Sequence, residues 1–191
     1  MQDGKQEDRR VRRTKKLLKQ AFIDLLHEKE YKTISVTDIV DKADYNRSTF
    51  YAHYDYKEEL VEELNESLLN GLITAFFNFD EEELNQLTPG DIVIFDYILK
   101  KREFFILWKT SEAIPRLQEV FIDKFSKAFK EELLKKTGIN KDIDLNLFVI
   151  FNTYGILGLI LDWIKRDFTE PPQVMAQQLI YLINKEPFSN K

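Results

Sequence analysis

Two residues that favour helix N-caps, Ser35 and Asn46, stand eleven positions apart, and the residues between them leave little choice of structure. Ser35 precedes Val36, Ile39, Val40 and Ala43, with Asp38 three residues on, so that hydroxyl and carboxylate can satisfy each other's backbone amides and open a helix. Asp44, Tyr45 and Asn46 form a turn, because Asp and Asn tolerate left-handed backbone, and the helix must stop near Ala43. Asn46 then caps a short helix holding Arg47, Ser48, Thr49, Phe50, Tyr51, Ala52 and His53. Upstream, Val11, Leu17, Leu18, Ala21, Phe22, Leu25 and Leu26 recur at the helical period, which predicts a helix from Arg10 to about His27. Three helices with a three-residue turn between the last two are the layout of a helix-turn-helix.

Helical patterning continues to the end of the chain. Asp55 with Glu58 opens a fourth helix whose stripe Leu60, Val61, Leu64, Leu68, Leu72, Ala75 and Phe76 carries it from the first unit into the second. After an acidic break at 80–86, Thr88 as cap, Pro89 and Asp91 start a fifth, and a sixth covers Arg102 to Thr110. Pro115 opens a seventh with Leu117, Val120, Phe121, Phe125, Phe129 and Leu133, closed by Gly138 after Lys135 and Lys136. An eighth covers Ile143 to Lys165, and a ninth runs from Gln173 to about Asn184. With only six Gly and five Pro to make turns, the class is all-α, of about nine helices. The expected domains are 1–56, the helix-turn-helix with a basic arm, and 57–191, a helical domain for effector binding and dimerisation.

In such a motif the second helix lies over the DNA backbone and the third presents its N-terminal residues to base edges. Asn46, Arg47, Ser48 and Thr49 suit that role, with a guanidinium for guanine, an amide, and two short hydroxyls that let the backbone come close. The run Ser35 to Leu60, SVTDIVDKADYNRSTFYAHYDYKEEL, resembles the DNA-binding motif of TetR/AcrR-family transcriptional regulators through Ser35, Ile39, Ala43, Thr49, Phe50, Tyr51, His53, Lys57 and Leu60. That resemblance implies that Asn46, Arg47, Ser48, Thr49, Tyr51 and His53 lie on the recognition helix. It also implies that Ser35, Thr37, Tyr51 and Lys57 meet phosphates. The chain departs from the pattern at Val40, Tyr54, Asp44, where Gly is usual, and Tyr45, which is left without a role. Asp44 should cost little in conformation, but it sets a negative charge near DNA.

Charge is distributed to match. Residues 1–60 carry 13 Lys/Arg against 12 Asp/Glu, while residues 61–191 carry 15 against 21. Eight basic residues between Lys5 and Lys19 face only Glu7 and Asp8, so the arm is the strongly basic segment and the expected source of sequence-independent attraction to DNA. The absence of Cys excludes disulfides and thiolate chemistry and fits a cytoplasmic protein. The first sixteen residues hold no apolar core of an export signal. His27 reads as a cation in a last helical turn and His53 as part of an aromatic cluster. With no third ligand and no nucleophile or phosphate-loop motif, no metal site, cofactor or catalytic residue is expected.

The second half is dense in aromatics, which at helical spacing make a core and can also surround an apolar ligand. The resemblance implies such a cavity, and Phe104, Trp108, Phe125, Phe151 and Tyr154 are the candidates for its lining. The 17 uncharged residues Leu145 to Leu161 fall short of the ~20 that a bilayer span needs, and they read as a buried helix rather than a membrane span. A helix apolar nearly all round needs cover on more than one side, which a second copy supplies. Gly155 and Gly158 are consistent with a partner helix or with local packing alike. Together with the ninth helix, the resemblance implies a four-helix bundle across a two-fold axis. The whole reads as a ligand-responsive repressor that binds palindromic double-stranded operator DNA as a homodimer and is released by a small apolar or amphipathic effector. The alternative is a helical protein- or lipid-binding module without DNA binding.

Overall fold

The structure, a computed structural model, describes residues 9–77, 88, 90–109, 114, 116–135 and 142–184. The expected roles of Lys5, the acidic break 80–86, Pro89, Thr110, Pro115, Lys136 and Gly138 lie outside these. Among the described residues the α-helices are α1 (Arg9–Glu28), α2 (Val36–Lys42), α3 (Arg47–Tyr51), α4 (Lys57–Phe76), α5 (Ile94–Lys100), α6 (Arg102–Phe105), α7 (Leu117–Leu134), α8 (Leu145–Lys165) and α9 (Pro172–Asn184). The chain forms two compact units, Met1–Ser67 with Glu112–Ile114, and Leu68–Ser111 with Pro115–Lys191. The division falls inside α4, not at its start near residue 57. The first turns of α4 bury Leu60, Val61 and Leu64, and Glu63 accepts hydrogen bonds from Lys15 (3.1 Å) and Lys19 (2.8 Å) of α1.

The first unit is built on the apolar stripe of α1. Leu18, Ala21, Phe22, Leu25 and Leu26 are buried together with Ile39 and Val40 of α2, Phe50 of α3 and Tyr54. Burying a side chain of Leu or Phe size is worth about 1.5–3 kcal/mol, so this cluster outweighs any propensity term in helices as short as α2 and α3. Ion pairs from Lys29 to Asp38 (2.7 Å) and from Lys42 to Glu28 (2.6 Å) tie α2 to the end of α1. A 3-10 turn at Tyr31–Thr33, closed by Thr33 N–H on the Glu30 carbonyl, joins α1 to α2. Three residues carry too little periodicity to announce such a turn in sequence.

The core of the second unit is a chain of rings. Phe105 meets Trp108 at 5.3 Å, Trp108 meets Phe121 at 5.6 Å, Phe121 stacks on Phe125 at 5.2 Å, and Phe125 meets Phe76 at 4.9 Å. Helices α7 and α8 pack together with a hydrogen bond from Ser126 to Thr153 (3.1 Å). Phe95 of α5 lies edge-on to Trp163 at 5.3 Å, and Trp163 Nε1 donates to the Glu170 carbonyl at 2.9 Å. At the end of α8 the amides of Asp167 and Phe168 turn back to Ile164 and Trp163, with positive φ at both residues. The Phe168 ring then packs on Trp163 at 5.0 Å, which completes a Schellman stop without glycine.

Three expected helix features differ. Thr88 does not cap α5: its amide and hydroxyl both bond Asp91 at 2.7 Å, closing a separate turn, and α5 begins at Ile94. At the start of α4 the residue that reaches back to the Asp55 amide is Glu59 (2.7 Å), not Glu58. Helix α8 is not enclosed all round. Val149, Thr153, Ile156, Ile160 and Trp163 are buried, whereas Leu147, Ile150, Phe151 and Tyr154 are exposed. Among the described residues it is the one helix long and apolar enough to cross a membrane.

Gly71 serves a close approach within the second unit. The Tyr97 hydroxyl donates to the Leu68 carbonyl at 3.1 Å, and a Cβ on Gly71 would clash with the hydroxyl oxygen and ring carbons of Tyr97. Alanine should gain about 1 kcal/mol of helix propensity and lose more by expelling the ring. We therefore expect Gly71→Ala to lower the thermal midpoint, and Gly71→Ala with Tyr97→Ala to be less destabilised than the single changes predict by addition. Strict additivity would disprove the notch.

Candidate nucleic-acid interface

The α2–α3 pair is fixed by local hydrogen bonds at every joint. The Ser35 hydroxyl accepts from the Asp38 amide (3.2 Å) while Asp38 Oδ2 accepts from the Ser35 amide (2.7 Å). The Asp38 carboxyl lies below the usual carboxylate range, chiefly through its hydrogen bond from Lys29 and then those from the Ser35 amide and hydroxyl. Helix α2 ends in a Schellman turn: Asp44 adopts φ 57°, its amide bonds the Asp41 carbonyl (3.3 Å), and the Tyr45 amide bonds that of Val40 (2.8 Å). Asp44 thus takes the left-handed position where the motif usually has Gly. Half-buried Tyr45 supplies the closing amide of the same turn.

Asn46, in extended backbone at φ −103° and ψ 165°, caps α3 through its side chain. Its Oδ1 accepts from the Thr49 amide (2.8 Å), the Ser48 hydroxyl (2.7 Å) and the Thr49 hydroxyl (2.9 Å). Three of the expected base-reading groups are therefore ordered by one another before any DNA arrives. Arg47 is exposed and has no hydrogen bond or ion pair among the described residues. Tyr51 is exposed with its ring edge-on to buried Phe50 at 5.6 Å. His53 and Thr37 are half-buried, the His53 amide closing the end of α3 on the Phe50 carbonyl at 2.9 Å.

Lys57 is more committed than its sequence suggests. Its Nζ donates to the carbonyls of Tyr31 (3.0 Å) and Ile34 (2.9 Å) and lies 4.2 Å from the centre of the Tyr31 ring. Burial, with Glu58 beside it, pushes the Tyr31 hydroxyl up to about 12. Lys57 thus clips the α1–α2 connection to the start of α4. Glu63 holds two further cations: burial would raise its carboxyl, but hydrogen bonds from Lys19 and Lys15 outweigh that and leave it lowered.

The five residues expected around a ligand separate into two groups. Phe104, Trp108 and Phe125 are core, with Phe121 bridging Trp108 to Phe125 and Phe104 edge-on to Phe105 at 5.4 Å. Phe151 and Tyr154 are 78% and 56% exposed. At 100° per residue they sit about 200° and 140° round α8 from buried Val149, so they face away from the ring cluster. Among the described residues, buried Trp108 Nε1 has no acceptor. Among the described residues no three His, Cys, Asp or Glu side chains are grouped to hold a metal ion.

This arrangement defines a helix-turn-helix DNA-binding head joined to a second helical unit. Residues 18–64 match the family model for bacterial regulatory proteins of the tetR family, and residues 85–185, more than half of the chain, match that for a transcriptional regulator C-terminal region. The chain belongs to the TetR family, whose members are DNA-binding transcriptional regulators and not enzymes. An uncharacterised HTH-type transcriptional regulator of Bacillus subtilis, YxbF, is 30% identical over 96% of this chain, which spans only 48% of that relative's length. A TetR regulator structure from Streptococcus agalactiae superimposes with a TM-score of 0.66 at 23% identity, covering 94% of this chain and 98% of that one. The dihydroxyacetone kinase operon activator DhaS does so with a TM-score of 0.63 at 19% identity, covering 89% and 93%. Both show the same fold.

Arg47 and Lys57 should separate reading from support. Arg47→Ala should leave thermal stability unchanged and relax base preference at one position, costing about 1–3 kcal/mol there. Lys57→Met should accelerate amide exchange across residues 31–36, because two carbonyls and a ring lose their cation. Wild-type exchange in Lys57→Met would show the clip to be without weight.

Proposed function

We propose that the protein is a ligand-responsive repressor that reads a palindromic operator as a homodimer and works in the cytoplasm. The observation that carries the DNA-reading part is the Asn46 hub. It presets Ser48 and Thr49 on α3, beside exposed Arg47 and Tyr51. We assign base contact to Asn46, Arg47, Ser48 and Thr49, and backbone contact to Ser35, Thr37, Tyr51 and the ammonium of Lys57; His53, expected on the recognition helix, lies just past its C-cap Ala52, and we assign it a place at that end of the DNA-facing surface. Repression asks only that the site be occupied. Activation, as in the relative named an operon activator, needs a further surface for the transcription machinery.

Dimerisation is supported by α8 and α9. Leu147, Ile150, Phe151 and Tyr154 on α8, and Val174, Tyr181 and Leu182 on α9, are exposed apolar side chains. A Cβ at Gly155 or Gly158 would meet nothing within 4 Å, so another backbone has room to approach. A two-fold pair of this kind places its reading heads about one helical turn of DNA apart, ~34–36 Å, or a multiple of that. Duplexes selected from random sequence by the purified protein should accordingly be symmetric. Phe151→Asp should yield monomers that hold the selected operator far more weakly. A sedimentation pattern of dimers for Phe151→Asp, or asymmetric selected sites, would refute this interface.

The effector reading rests on the ring cluster and on Trp108, 3% exposed, whose indole N–H meets no acceptor among the described residues. An amphipathic molecule with a carbonyl or carboxylate oxygen would supply one. Trp108→Phe, which keeps the volume and removes the donor, should leave operator affinity without effector intact while weakening the response to such compounds. By linkage, any compound that lowers operator affinity must bind the DNA-bound dimer more weakly by the same factor. An equal response of Trp108→Phe and wild type to every active compound would argue against this site.

A further inference from the structure

The hydrogen-bond network at the start of α3 has a fixed polarity. The Thr49 amide can only donate, so the Asn46 side-chain atom that it meets at 2.8 Å is the carbonyl oxygen Oδ1 and not the amide nitrogen. That oxygen can only accept, so the Ser48 hydroxyl at 2.7 Å and the Thr49 hydroxyl at 2.9 Å both donate to it. A hydroxyl has one proton. Ser48 Oγ and Thr49 Oγ1 spend theirs on Asn46, and toward an approaching duplex they offer lone pairs alone. Asn46 Oδ1, with three donors, is saturated, whereas Asn46 Nδ2 and the Arg47 guanidinium have no acceptor among the described residues. We propose that this polarity sets the base preference of the operator: Ser48 and Thr49 accept from the exocyclic amino group of adenine or cytosine, while Asn46 and Arg47 donate to acceptor edges such as those of guanine and thymine. The inference rests on the DNA-reading function proposed above and deepens it, from which residues meet the bases to which bases they admit.

Major-groove chemistry makes this polarity selective. Every base pair shows one exocyclic amino group there, N6 of adenine or N4 of cytosine, and the partner base, thymine or guanine, shows acceptors only. An acceptor on the protein therefore distinguishes which strand carries the amino base, because against guanine or thymine two sets of lone pairs face each other. Phosphate is a poor occupant of the same hydroxyls, since its oxygens also need donors. Turning a hydroxyl proton outward, to a phosphate or a keto base, breaks its bond to Asn46, so that the contact formed only replaces one lost. Saturation of Oδ1 has a second consequence. An Asn side chain pairs with adenine by using its oxygen and nitrogen together, on N6 and N7, and here the oxygen is taken. Asn46 is left as a donor, like Arg47 beside it. Ser48 is exposed and Thr49 half-buried, which makes Ser48 the more accessible of the two acceptors.

The test selects duplexes from a random library with full-length wild type, Ser48→Ala, Thr49→Val, Asn46→Asp and Asn46→Gly. Wild-type sites should carry adenine or cytosine on one strand at each position that Ser48→Ala or Thr49→Val relaxes. Asn46→Asp keeps an acceptor-only cap and should keep that preference, with weaker binding overall. Glycine is an acceptable cap residue, so Asn46→Gly should retain the fold while freeing both hydroxyl protons, and adenine or cytosine should no longer be favoured over guanine or thymine there. A second arm uses wild type alone. Each adenine or cytosine of the selected half-site is replaced in turn by purine or 2-pyrimidinone, which lack only the amino group. At the position read by Ser48 or Thr49 wild type should bind about three- to tenfold more weakly, the worth of one hydrogen bond. The variant lacking that hydroxyl should be indifferent to the replacement. Guanine or thymine at the relaxed positions, no position relaxed by either variant, an unchanged preference in Asn46→Gly, or wild-type affinity for every analogue duplex would each overturn the proposal and leave sequence reading intact. A wild type that selects no sequence removes the DNA-reading function, and the polarity rule with it.

Discussion

The reading head depends on a single backbone reversal, the five-residue hydrogen bond from the Tyr45 amide to the Val40 carbonyl at 2.8 Å. It fixes the angle at which α3 leaves α2, and it requires left-handed backbone at Asp44. For an L-residue other than Gly, Asn or Asp this conformation is costly, which explains why so few residue types can stand there. The turn alone does not hold. The Ser35–Asp38 box before it and the Asn46 cap after it end both helices cleanly, and Phe50 anchors α3 in the core formed with α1. A five-residue helix has almost no stability of its own. Its geometry is a property of the two caps and one buried ring.

The same economy shows how far the sequence can be read. Both caps, the turn at Asp44 and the stripe of α1 are legible, because each depends on residues no more than a few positions apart. The roles of Lys57, Lys15 and Lys19 are not. Lys57 meets carbonyls 23 and 26 residues upstream, and Glu63 meets lysines 44 and 48 residues away. A motif can say that a lysine stands at a helix start, but not that two carbonyls and a ring wait for it. The start of α5 misleads for the opposite reason. Thr88 and Asp91 do form a local pair, but it closes a turn on itself, and the helix waits for Ile94, which is fully buried.

Lys57 joins structural support with the phosphate contact proposed for it. An ammonium shared between two carbonyls and an aromatic face has its donors occupied, so a phosphate must share or displace one of those bonds. The clip also faces the connection between α1 and α2, and strain there would be felt at Ser35, whose carbonyl accepts from Ile39 at 3.2 Å. A cation in this place acts on α2 through the backbone as well as through its charge.

In the second unit the decisive fact is that α8 has two apolar faces with different fates. One is closed by α7: Thr153 is fully buried and would be an orphan polar group there without Ser126. The other, bearing Phe151 and Tyr154, stays open in the single chain. Composition cannot tell these faces apart, because both contribute equally to the mean hydropathy that makes α8 look like a membrane span. Packing can. A helix inserted in lipid gains nothing from a satisfied hydroxyl pair on one side and a ring cluster behind it, whereas a helix at the edge of a folded unit needs that side and has the other left for a protein surface of similar shape. Large aromatics exposed in a row are seldom tolerated without cover. The two glycines on that helix are open on their Cβ sides, which leaves room there for the partner backbone of the proposed dimer.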